Sequence, residues 1–231
     1  MNINALTITP RHDLAGADLS DTSLASKDLS KARMAGVALA GSDLTVARLV
    51  GADLRYSICH KAVFDKADLH HANLWNIDLR GASAKESIFC KCWLGNSNLV
   101  DADLRGADFS GAWITAADLS NSLLGASTLA GVSLARACMK EADLTGAFAV
   151  GADFRSTILN GAIMRATNLS GANLREASLI DADLSLADLV GADLRGAQLE
   201  GAVLNGSRHD GTTRWPETFK PLSSGGIESH E

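Results

Sequence analysis

Every fifth residue from Leu14 to Leu204 is apolar, without one break in register. Of these 39 positions, 28 are Leu, and the rest are Met, Phe, Ile, Cys or Ala. Call this position i. A helix turns about 100° per residue, so a five-residue step scatters the leucines around its axis instead of striping one face. A regular strand alternates its faces, so a period of five would flip Leu from inside to outside at each repeat. The pattern therefore excludes long helices and long strands.

Position i−2 is small: 24 of the 38 such residues from Ala17 to Ala202 are Ala, and the fillers are mainly Ser, Thr, Val or Cys. Each repeat thus presents two inward side chains at strand spacing. A corner follows. Sixteen of the 21 glycines stand at i+2, where a sharp turn through positive φ would penalise a Cβ. Asp or Asn at i−1, as in Ala17-Asp18-Leu19, suits a turn because its short side chain reaches nearby backbone groups. Four such corners close a square of 20 residues, and stacked coils pair backbone to backbone.

Segments such as Ala102-Asp103-Leu104-Arg105-Gly106 and Ala192-Asp193-Leu194-Arg195-Gly196 resemble the pentapeptide-repeat family, whose consensus is A(D/N)LXX. The resemblance covers about Leu14 to Ser207. It implies an all-β fold, a right-handed quadrilateral β-helix of about ten coils, with i and i−2 inside. The rod would be about 45–50 Å long at the β-stacking rise. The expected organisation is an N-terminal cap segment over 1–13, the β-helix over 14–207, a C-terminal cap over 208–221 and a disordered tail over 222–231. Leu6 and Ile8 would cover the first coil, which Lys27 at an inward position marks as imperfect. Trp215 and Phe219 would close the last one, and similar Arg-Trp-Pro tails follow the repeats in relatives.

Composition removes several functions. A net charge of −6, without a Lys/Arg-dense patch, argues against direct binding of nucleic acid. No secretory signal is visible in the first residues and no 18-residue apolar run exists, so the expected site is the cytoplasm, with reduced thiols. Cys59 and Cys92 fall on inward positions, Cys90 and Cys138 on outward ones. No nucleophile elbow, phosphate loop or metalloprotease motif occurs, and a filled prism offers no deep pocket. The chain reads as a non-enzyme with no cofactor. His70, His71 and Cys90 should be stacked neighbours, but zinc wants a fuller ligand set, so these read as solvated polar residues and not as a metal site.

The register also gives each outward residue a side and a height. On the side holding Leu54, Leu74, Leu94 and Ile114 stand Tyr56, Trp75, Trp93 and Trp113: the only Tyr and three of the four Trp. Farther along comes a ladder of Arg155, Arg175 and Arg195. Exposed aromatics with Arg are the composition of protein-interaction hot spots. The bland alternative is that the aromatics lie flat as cladding. A less charged side with Val50, Phe148, Val150 and Val190 is the weaker candidate.

The leading expectation is a scaffold that binds a protein partner or a second copy of itself through the aromatic and Arg side. The resemblance supplies an alternative: some family members mimic duplex DNA, bind DNA gyrase or topoisomerase IV, and protect them from quinolone-type inhibitors. The near balance of 27 acidic and 21 basic residues, and the Leu-type core, speak against it.

Overall fold

A computed structural model describes residues 10–219. The expectations for Leu6, Ile8 and the tail after 221 lie outside that range. Within it the chain winds with a step of 20 residues: parallel bridges join Asp13 to Arg33, Arg33 to Asp53, and so on along all four sides. Each side contributes a single bridging residue, i−1, so no side is a strand in the ordinary sense.

Backbone bookkeeping explains why five residues suffice. The N–H of i donates to the next coil (Leu54 to Asn73, 2.7 Å), that of i+2 does likewise (Tyr56 to Trp75, 3.0 Å), and that of i−1 donates to the coil before (Asp53 to Ala32, 3.0 Å). The N–H of i−2 closes the corner onto the preceding Leu, as from Ala17 to Leu14 at 3.0 Å. Only the N–H of i+1 is left over. Every Asp and Asn at i−1 accepts it through Oδ1, for example from Ser20 to Asp18 at 3.0 Å and from Val100 to Asn98 at 3.2 Å. The D/N of the repeat is thus a turn-closing acceptor for a donor that would otherwise lack a partner in the protein. Where Ser83 replaces it, Asp65 of the previous coil reaches over to the N–H of Lys85 at 3.0 Å.

Every fifth residue from Arg11 to Gly206 has positive φ, glycine or not. With i+1 outside that region, the corners take the type II form. A β-branched side chain is the worst occupant of the left-handed region. Val46 sits there at φ 58, exposed, on the corner after Leu44. We expect Val46→Gly to raise stability by about 1 kcal/mol, since relief of left-handed strain exceeds the entropic cost of Gly. Thermal unfolding checks it; a lowered midpoint would contradict the strain.

Positions i and i−2 fill the interior from Leu24 to Leu194 with side chains that are buried almost without exception. At the open start, His12, Ala17 and Thr22 are half-buried and Lys27 is exposed, because no described coil covers them. Most buried Ser and Thr fillers donate their hydroxyl to a Leu-position carbonyl, as Thr157 does to Leu134 at 2.9 Å, whereas the buried hydroxyls of Ser127 and Ser207 find no partner among the described residues. Cys92 does the same toward Leu69 at 2.8 Å. Burial pushes its thiol up to about 12, and that of Cys59 higher still, so both are inert core groups. Size is balanced around the coil. Cys59, Ala84 and Ala149 each come one side before Phe64, Phe89 and Phe154, and Phe89 stacks on Phe109 at 4.8 Å with planes 3° apart.

The winding outlasts the sequence repeat. Arg208 still bridges Asp188, and after one extra residue in the Asp210–Thr213 turn, Arg214 bridges Asp193. Thr213 occupies the i−2 slot, donating to Leu189 at 2.9 Å. Trp215 follows at the i slot, packs against the core with Phe219, and stacks on it at 5.1 Å.

Candidate protein-interaction side

Two of the four aromatics meet. Trp93 and Trp113 are bridging residues of successive coils, so their side chains leave the wall one above the other, and their rings stack at 4.9 Å. Both stay open to solvent, at 53% and 44% exposure. Trp75 behaves differently. It stands at the corner beneath Gly95, and its ring fills the space that a side chain there would take: a Cβ on Gly95 would lie 2.2 Å from the ring. Trp75 is therefore partly cladding. Tyr56 stands on the same corner one coil earlier, at φ 60 and more than half exposed, its N–H donating to Trp75 at 3.0 Å.

The arginines also divide. Arg155 and Arg195 fold back on the aspartates two residues before them, each through two hydrogen bonds of 2.6–2.9 Å. Arg55, Arg80 and Arg105 on other repeats do the same. A repeat with Asp at i−1 and Arg at i+1 is thus a self-neutralising unit. Arg175 is not tied, because the residue two before it is Asn173, which accepts its backbone N–H at 3.3 Å but carries no charge. The sequence ladder of three like arginines is two paired cations and one without a carboxylate within 4 Å among the described residues.

The register also holds a residue that the sequence reading passed over. Arg136 occupies the same corner two coils before Glu176. With Ala135, Arg155, Ser156, Asn173, Arg175 and Glu176 it lines a shallow depression of about 460 Å³. Its position was readable from the spacing, but not that no carboxylate among the described residues pairs with it. His70 and His71 do lie together, with ring centroids 4.8 Å apart, but the Cys90 sulfur points to the Asp108 carbonyl at 3.9 Å, and no cluster of three metal-ligating groups occurs among the described residues.

The paired carboxylates are held low. The guanidinium of Arg55 hydrogen-bonds Asp53, its N–H adds to the effect, and burial opposes it; Asp78, Asp103, Asp153 and Asp193 share the pattern. The unfolded chain therefore takes up protons at the ordinary value of 3.8, before the folded chain does. Stability contributed by these pairs is complete above that value and is lost as pH falls through it toward the lowered folded values. We expect an unfolding midpoint that is level from neutrality to about pH 5 and declines steeply below about 4. A midpoint level down to pH 2.5 would show that the pairs are energetically silent.

The sequence model for pentapeptide repeats matches the chain in 8 copies, over residues 13–45, 47–83, 89–121, 115–148, 137–175 and 167–206. The chain belongs to the pentapeptide-repeat family. Among solved structures it is similar to HetL, a pentapeptide repeat protein involved in heterocyst differentiation regulation from the cyanobacterium Nostoc sp. strain PCC 7120. They share 29% identity over 97% of this chain and 95% of HetL, with a TM-score of 0.68. It is also similar in fold to QnrB1, a plasmid-mediated fluoroquinolone resistance protein, at 18% identity, 87% and 92% coverage and a TM-score of 0.56. The fold is accordingly the right-handed quadrilateral β-helix. Comparison with curated proteins gives no match.

Proposed function

We propose that this chain is a non-enzymatic scaffold of about ten coils that docks a protein partner on its aromatic side. The observation that carries the reading is the stacked pair Trp93 and Trp113, held open to solvent on a rigid wall. Rigid aromatics bring large apolar area at low conformational cost, and such anchors dominate binding energy at interfaces. HetL, of similar length and 29% identical, is described as involved in regulation, which fits a binding role for a rod without catalytic machinery. Trp215 and Phe219 act as the lid of the last coil, and the cytoplasm remains the proposed site of action.

The test is affinity capture from the native host with wild type and with the Trp93→Ser/Trp113→Ser double variant, circular dichroism establishing that both are folded. Loss of specific partners, or of self-association, supports the scaffold reading; identical capture and identical mass in solution overturn it.

The DNA-mimic reading is favoured by one feature. Asp101, Glu141 and Asp181 stand two coils apart on one corner, without an ion pair among the described residues. Against it, five Asp–Arg repeats cancel their own charge, which removes the continuous negative potential that a mimic needs. A gyrase supercoiling assay with and without a quinolone separates the two. Inhibition or protection at micromolar protein would overturn our preference.

A further inference from the structure

The depression beside Arg175 is built from two departures from the repeat. Three levels of one corner line it: Ala135-Arg136, Arg155-Ser156 and Arg175-Glu176, linked by Arg136 N–H to Arg155 and Ser156 N–H to Arg175, both 2.9 Å. The middle level is low because Ser156 is small and Arg155 folds back onto Asp153. Arg136 and Arg175 stand on either side of it. Neither has a carboxylate within 4 Å among the described residues. Asp193 feels the charge of Arg175 but already holds Arg195 in two hydrogen bonds and Arg214 at 3.7 Å. Asn173 is the cause: Asp in its place would close the same turn and also tie the arginine down, as Asp153 and Asp193 do one coil to either side.

We propose that this depression receives the carboxylate of an Asp or Glu side chain on the protein partner, with Arg136 and Arg175 as its two clamps. The inference rests on the reading of the aromatic side as a docking surface, since the depression begins one coil beyond Trp113, about 5 Å along the axis. Three features select the ligand. Guanidinium forks match a planar carboxylate. Glu176, which accepts a hydrogen bond from Ser156 at 3.2 Å, leaves room for one negative charge and opposes a phosphate dianion. The depression is shallow and open, so it suits a group presented by a larger surface better than a free small molecule. The net charge of −6 makes capture of an acidic ligand a local property and not a general one.

The test uses fluorescein-labelled hexaglutamate and polarisation at low ionic strength, on the full chain. Wild type should bind it saturably, and a hexaglutamine probe should not bind. Asn173→Asp, which keeps the turn, and Arg136→Gln should each weaken binding about fivefold or more. Arg175→Gln gives the same answer should Asn173→Asp fail to fold. Arg55→Gln, remote and already paired, should bind as wild type does. Wild-type affinity in Asn173→Asp and Arg136→Gln, absence of saturable binding, or displacement of the peptide by an equal concentration of inorganic phosphate would overturn the proposal. Trp93→Ser/Trp113→Ser should hold hexaglutamate normally, so failure of the aromatic reading is scored separately by partner capture.

Discussion

Phe89→Ala should destabilise the rod by about 3–5 kcal/mol, at the upper end of what single core truncations cost. The reason is that the site cannot collapse. Phe89 is fully buried, and its ring lies parallel to that of Phe109. The backbone around it is pinned by the hydrogen bond from its N–H to Asp108 at 2.7 Å and by the bridges of Ile88 to Asp68 and Asp108. The preceding side of the same coil carries Ala84, so the variant would place two alanines on consecutive sides. A cavity of that size costs both transfer energy and lost contacts. Thermal or denaturant unfolding measures the loss. Addition of Ala84→Leu should restore part of it, because the two positions share one space. A loss below 1 kcal/mol would mean that the interior column is looser than the stacking implies.

Ala107→Leu tests the opposite limit and should cost about 1–3 kcal/mol through overpacking. Ala107 is fully buried at i−2, two residues before Phe109, with its N–H closing the corner onto Leu104 at 3.1 Å. Neither the corner nor the bridges can yield, because each coil is held by those above and below. The damage should stay local: hydrogen exchange should quicken in the coils around 107 and leave those near 30 and 190 protected, as nearest-neighbour coupling in a solenoid requires. Unchanged stability would contradict the assignment of i−2 to the interior.

The five-residue period made the walls legible because it is a property of the side chains themselves. Leu at i, Ala at i−2, Gly at i+2 and Asp at i−1 each answer one steric or hydrogen-bonding demand of the coil. The period also placed Trp93 and Trp113 on one side and at adjacent heights. Pairing between side chains was not legible. Nothing in the period says that Trp75 would lie down against Gly95, that Arg155 and Arg195 would turn back on their own aspartates, or that Asn173 would leave Arg175 without a carboxylate within 4 Å among the described residues. Those outcomes depend on rotamers and on the room left by the coil above. Coil winding past Ser207 was missed for a related reason: the extra residue before Thr213 breaks the spacing while the bridges to Asp188 and Asp193 persist.

Oxidative footprinting of the complex with a captured partner tests whether the exposed tryptophan pair serves as the proposed docking surface. Modification of Trp93 and Trp113 should fall at least about fivefold on complex formation, as burial under a hot-spot contact requires. Phe148, exposed on another side, should react as it does in the free chain. Protection of Phe148 with Trp93 and Trp113 unchanged would place the partner elsewhere and reduce the tryptophans to cladding.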